Sequence, residues 1–206
     1  MELASWPSLE AQVAAISDDI AYDNHDIDDG LRAGLIAFEE LLELPLVERH
    51  WQAIVDRSGA LSPDKMQRAL VRDMIGTMVG DVIVETRRRI GEAGVATIDE
   101  VRQAGRQLAG FSAPLADEEQ ALKRYLYANL YNAPELVSVR VEAQRVVAGL
   151  AGAYRSDPSL LPAEWRSDDA VLQLRRIGDF IAGMTDRFAV RQHEELVGPV
   201  ELPDRF

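Results

Sequence analysis

The chain has 206 residues, 47% hydrophobic and 28% charged, with no cysteine and a formal net charge of −13. This composition suits a folded globular chain and excludes disulfides, thiolate metal sites and cysteine nucleophiles. The acidic balance opposes general nucleic-acid binding. No apolar run nears the roughly 20 residues of a membrane span, and Met1 to Glu10 lacks a leader pattern, so the expected location is the cytoplasm.

Helical spacing dominates from the start. Ser8 is a candidate N-cap ahead of Leu9, Val13, Ile16 and Ile20. A second helix is expected from Asp28-Asp29, with Leu31, Leu35, Ile36, Phe38 and Leu42 as its apolar face. Pro45 marks a third start, running to about Arg57 and closing near Gly59. Ser62-Pro63 opens a long helix to about Ile90, closed by Gly91 and Gly94, with Leu70, Ile75, Met78, Val82 and Ile83 as its apolar face and Met74, Met78 and Val82 as core packing. Thr97 with Glu100 forms a capping-box pattern for a helix to about Leu108. After a loop at Gly110–Pro114, helices are expected over Asp117–Tyr131 and Pro134–Tyr154. A turn region spans Asp157–Trp165, and a last long helix spans Asp168–Glu194 before the Pro199 and Pro203 tail. No stretch alternates as a strand does, so the fold class is all-α. No Pro/Gly/Ser-rich linker divides residues 1–206, which are read as a single domain.

The charge is unevenly placed. Residues 1–58 hold 13 acidic and 3 basic side chains, which fits either a solvated acidic face or a cation site. Within them Asp18, Tyr22 and Asp26 recur at i, i+4 and i+8, which places two carboxylates and a phenol on one stripe if the helix continues that far. A carboxylate is a hard ligand for Mg²⁺ or Mn²⁺ and is tolerated by Fe and Zn. A phenol donates to phosphate or sugar oxygens, and a carboxylate accepts from a sugar hydroxyl.

The run Trp6-Pro7-Ser8-Leu9-Glu10-Ala11-Gln12-Val13, then Asp18-Asp19-Ile20-Ala21-Tyr22, then Asn24-His25-Asp26-Ile27-Asp28-Asp29-Gly30-Leu31-Arg32-Ala33-Gly34, resembles the segment around the last metal ligand of bacterial dGTPase-like proteins. These belong to the HD phosphohydrolase superfamily. Arg176-Ile177-Gly178-Asp179-Phe180-Ile181-Ala182-Gly183-Met184-Thr185-Asp186-Arg187-Phe188-Ala189 is similar to the family's C-terminal signature. The resemblance implies a multi-helix HD-phosphohydrolase-like fold, its C-terminal portion. The implied activity is hydrolysis of a dNTP to a deoxynucleoside and triphosphate with a divalent metal. It implies Asp18 as metal ligand, Tyr22 as a contact to phosphate and sugar, and Asp26 near the deoxyribose hydroxyl. Asp19 stands where some relatives carry a phosphate-binding lysine, so that contact is expected to be absent or supplied elsewhere. Expected partners are the dNTP, a further copy of the chain, or a missing N-terminal half.

His25-Asp26 is a literal His-Asp pair, but the family's metal dyad comes earlier in chain order, and no histidine precedes His25. His50 and His193 are isolated and read as surface or packing residues. The family's metal set is therefore incomplete in this chain, and the isolated chain is expected to be inactive. Arg32, Arg68 and Arg72 are candidate phosphate contacts or ordinary ion-pair partners. Arg87-Arg88-Arg89 suits a helix C-terminus, and Tyr125, Tyr127 and Tyr131 read as half-buried aromatics. The rival to an enzyme part is a helical fragment or interaction module without catalysis. A separate metal site around Asp23, Asp26, Asp28 and Asp29 lacks the Ca²⁺-loop spacing.

Overall fold

A computed structural model describes residues 5–58 and 62–201. Among the described residues there are helices and no strands, so the all-α expectation holds. The chain divides into two compact units, Met1–Ala133 and Pro134–Phe206.

The first unit is built on α1 (Leu9–Ala33) and α4 (Pro63–Ala93), which pack against each other. Between them run α2 (Phe38–Leu41) and α3 (Pro45–Ser58). α5 (Ile98–Gln103) and α6 (Ala113–Leu126) follow, and α6 packs on α1 and α3. The core collects Ile27, Leu41, Leu46, Ile54, Leu70, Met74, Met78, Leu108, Leu122 and Leu126.

Several boundaries differ from the expected ones. α1 does not restart at Asp28-Asp29 but runs through to Ala33. Asp28 is held inside the helix by Arg32 one turn on at 2.9 Å and by Gln67 Nε2 at 2.9 Å. The helix ends at Gly34, whose φ of 69° is left-handed and suits glycine. α4 begins at Pro63 after Ser62 and ends at Gly94, while Gly91 lies within it. Ile83 is exposed rather than inward. Gly59 and Pro203 lie outside the described residues. The Thr97–Glu100 capping box is present with both reciprocal bonds, but α5 stops at Gln103, short of Leu108.

Two polar devices fix α6 relative to the long helices. Asp81 on α4 accepts from Ser112 N and Ser112 Oγ, each at 2.7 Å, which sets the start of α6. Buried Gln12 on α1 accepts from Leu108 N at 2.8 Å and Ala109 N at 3.1 Å. Those backbone donors would otherwise be orphaned in the interior. α6 then widens into a π-helical turn, Tyr127–Tyr131.

The second unit holds α7 (Pro134–Ser156), two 3₁₀ turns (Pro158–Leu160 and Ala163–Trp165), α8 (Ala170–Ala182) and α9 (Asp186–Leu196). Its core is Val146, Leu150, Tyr154, Leu161 and Ile177, with Trp165 and Phe180 packed against it. The expected single helix over Asp168–Glu194 is broken. Gly183 caps α8, and the Thr185 side chain caps α9 by accepting from Phe188 N.

Candidate functional site

α1 is continuous across residues 18–26, so its stripe of acidic and phenolic side chains forms as a unit. Asp18 and Tyr22 are exposed, Tyr22 at 61%, and Asp26 is half-buried. Opposite, α6 and its π turn carry Lys123, Tyr127 and Tyr131 at intervals of four. A groove of about 290 Å³ opens between the two stripes. It is lined by Asp19, Tyr22, Asp23, Lys123, Leu126, Tyr127 and Tyr131. Asp18 lies one turn before Tyr22, outside that lining. Asp26 reaches the groove through Tyr131, whose hydroxyl donates to Asp26 Oδ2.

π turns cluster at functional sites because they re-aim side chains within a helix. Here the wide turn buries Leu130 while Tyr127 stays 66% exposed. The Tyr127 and Tyr131 rings meet edge to face, centroids 6.4 Å apart. The Tyr131 phenol stays protonated well into alkaline pH, chiefly through burial and then through its bond to Asp26.

The charge arrangement is more specific than the spacing suggested. Lys123 Nζ lies 2.5 Å from Glu119 Oε1 and 3.3 Å from Asp19 Oδ2. Sequence reasoning left the Asp19 position without a cation, and α6 brings one beside it. Burial works against the Lys123 ammonium. The hydrogen bond to Glu119 and the charges of Asp23, Glu119 and Asp19 outweigh burial, so its pKa is raised.

Asp23 figures in the sequence only in a separate metal site without the Ca²⁺-loop spacing, not as a substrate contact. It is only 4% exposed, and its Oδ2 has no hydrogen-bond partner among the described residues. Burial, the largest cause, pushes its pKa up to about 7. Lys123 pulls it down, and Glu119, Asp19 and Asp26 push it up. A usable signal existed. Ile16, Ile20 and Ile27 are buried on α1, and Asp23 falls on their helical period, where a carboxylate is out of place unless it has a task or a partner.

The other sequence candidates take structural places. His25 is exposed in the interior of α1. His50 is buried, with Nδ1 2.7 Å from Leu46 O and Nε2 2.7 Å from Thr77 Oγ1. His193 is buried in the second unit, with Nδ1 2.9 Å from Gly198 O. Arg32 pairs with Asp28, and Arg72 with Asp73 at 3.2 Å. Arg88 and Arg89 both bond Glu85. Arg68 is exposed. Among the described residues no group of three or more His, Asp or Glu side chains is arranged to hold a metal ion. Asp18 alone does not suffice, so the residues present do not make a metal site.

Residues 109–195, from just before α6 to the end of α9, match the family described as Phosphohydrolase-associated domain. Over that segment the chain is similar to a phosphohydrolase-associated domain. At the level of whole sequences, the chain is 46% identical over 200 residues to the deoxyguanosinetriphosphate triphosphohydrolase-like protein of Brucella ovis. The figures are 45% over 202 residues for the protein of the same description in Nitrobacter hamburgensis, and 43% over 190 residues for that of Bordetella pertussis. The matches cover 95%, 95% and 92% of this chain, and 50%, 50% and 49% of those proteins. The chain is thus related along nearly its whole length to the dGTPase-like proteins, as the sequence motifs implied, and it spans about half the length of the curated relatives it matches. No described helix is long and apolar enough to cross a membrane.

Proposed function

We propose that this chain is the substrate-binding portion of a metal-dependent phosphohydrolase that cleaves a dNTP, dGTP-like, to deoxynucleoside and triphosphate. The observation that carries the reading is the single groove that joins Tyr22, Lys123 and Tyr131, with Asp26 bonded to Tyr131. Its chemistry suits a nucleotide. The Lys123 ammonium pairs with phosphate oxygens as a point charge. The exposed Tyr22 phenol donates to a phosphate or sugar oxygen, and Asp26, oriented by Tyr131, accepts from the deoxyribose hydroxyl. The Tyr127 ring adds an apolar wall.

Asp18 is proposed as one ligand of a divalent metal, Mg²⁺ or Mn²⁺ by ligand hardness and Fe or Zn by tolerance. Such an ion, held in part by Asp18, would supply Lewis-acid polarisation of a phosphoryl oxygen. The remaining ligands must come from polypeptide outside this chain, so the chain acts with that polypeptide and not alone. The exposed apolar residues of α4, Val79, Ile83 and Val84, support cover by such a segment or by another copy.

The test is triphosphate release from dGTP with Mn²⁺ or Mg²⁺. It compares the chain alone with the chain supplied with polypeptide matching the other half of its relatives. Activity only on mixing, lost with Asp18→Ala and reduced with Tyr22→Phe, is expected. Full release by the chain alone, or an Asp18→Ala mixture as active as the parent, refutes the proposal.

A further inference from the structure

Asp23 has no role in the binding scheme above, yet it is the least conventional group in the groove. Its carboxyl is almost wholly withdrawn from solvent, with one oxygen unpartnered among the described residues. A buried ionised carboxylate in that state is costly, and a buried neutral one much less so. The charges acting on it come from two elements, Asp19 and Asp26 on its own helix and Glu119 and Lys123 on α6. Tyr131, at the end of the π turn, feels its charge in return. α4, on α1's other contact, presents apolar Met78 to the neighbouring Asn24. Three carboxyls, Asp19, Asp23 and Glu119, thus share one ammonium, while Asp26 accepts from Tyr131. Asp19 and Glu119 touch that ammonium directly, which leaves Asp23 as the member that gains most by binding a proton.

We infer that Asp23 is a proton-dependent positioning residue for Lys123. As a carboxylate it helps hold the ammonium inside the Asp19–Glu119 cluster, and as a neutral acid it releases part of that hold toward the groove. The proton comes from solvent, and no covalent step is involved. The consequence for ligands rests on the nucleotide reading of the groove. An anion at Lys123 favours the protonated Asp23, so anion binding and proton uptake assist each other, by the reciprocity that governs any two linked binding events.

The sequence makes the test clean, because Lys65 and Lys123 are its only lysines. The chain is labelled by reductive [¹³C]methylation and titrated by NMR. Lys65, exposed in the first turn of α4, is the internal control. The Lys123 methyl signal is expected to shift in a step with its midpoint near the Asp23 value of about 7, while Lys65 stays flat there. The Lys123 step disappears in Asp23→Asn. A flat Lys123 signal, or a step that survives in Asp23→Asn, overturns the inference. If the variant does not fold, the wild-type side-chain carboxyl carbon of Asp23 decides, since its midpoint must coincide with that of Lys123 and differing midpoints overturn the inference. Inorganic triphosphate, followed on the same signal, separates the two readings. Tighter binding at about pH 6 than at about pH 8, lost in Asp23→Asn, supports both. No triphosphate binding beside an intact step defeats the phosphate reading of the groove alone.

Discussion

Replacing Asp23 with asparagine keeps the shape of the side chain and removes its charge for good. Folding raises the pKa of this carboxyl from the ordinary aspartate value of 3.8 to about 7, chiefly by burial. Between those values the folded chain holds a proton that the unfolded chain has released. The resulting stability is fully present below the unfolded value and is lost as pH rises through the folded one. At ~1.4 kcal/mol per pKa unit, the whole window is worth about 4 kcal/mol, with roughly 2.7 kcal/mol of it falling between about pH 5 and 8. Asparagine does not titrate, so that slope vanishes. Asp23 Oδ2 has no hydrogen-bond partner among the described residues, so a buried amide in its place costs about 1–2 kcal/mol at every pH. The variant should therefore match the parent near pH 5 and be more stable by about 2–3 kcal/mol near pH 8. Urea unfolding followed by far-UV circular dichroism at a series of pH values measures the difference directly. The other carboxyls titrate in both proteins and cancel. Parallel stability curves for parent and variant across this range would refute the argument.

Three further substitutions probe the scaffold that sets the groove. Gly30→Ala places a Cβ 2.9 Å from Ile36 Cδ1 and 3.2 Å from Leu130 Cδ1, where overpacking should cost about 1–3 kcal/mol in a thermal melt. An unchanged midpoint would show that the α1–π-turn contact is loose. Asp81→Ala strips two acceptor bonds from Ser112 at the start of α6 and should cost about 1–3 kcal/mol. Amide exchange should then rise first in the opening turn of α6, and uniform loosening would contradict the assignment. Gly149→Ala builds a Cβ 2.6 Å from His193 Nε2. It should push the ring away and break its Nδ1 contact to Gly198 O, seen as faster proteolysis after Leu196. Unaltered cleavage would show that α7 yields instead.

The fold was legible where helices announce their own ends. Ser62-Pro63, Gly94 and the Thr97–Glu100 box did so and lie where expected. It was misread where one local signal carried two meanings. Asp28-Asp29 has the chemistry of a helix start, but an Asp28–Arg32 pair at one-turn spacing is equally the chemistry of a helix interior. Gly34 decides between them, because only it supplies the left-handed stop. At Gly183-Met184-Thr185-Asp186 the reverse error occurred. A glycine stop followed at once by a threonine cap reads as a break, but the apolar period on either side continues smoothly enough to hide it. The π turn leaves no comparable trace in the sequence, although it is where Leu130 packs beneath Gly30.

The site divides along the same physical line. Asp18, Tyr22 and Asp26 share a stripe by helix geometry alone, and a second stripe of identical period, Lys123, Tyr127 and Tyr131, was open to the same count. Nothing in either stripe states that they face each other. That follows from Asp81 and Gln12 fixing the entry of α6, interactions that bridge residues far apart in sequence. Asp23 is the instructive case. Among so many N-terminal carboxylates it reads as one more surface acid, yet it keeps step with Ile16, Ile20 and Ile27 on the buried face. A charge in register with a core stripe carries more information than a cluster of charges off it. Burial makes its ionisation costly and therefore dependent on its neighbours, and in this groove the neighbour that responds is Lys123.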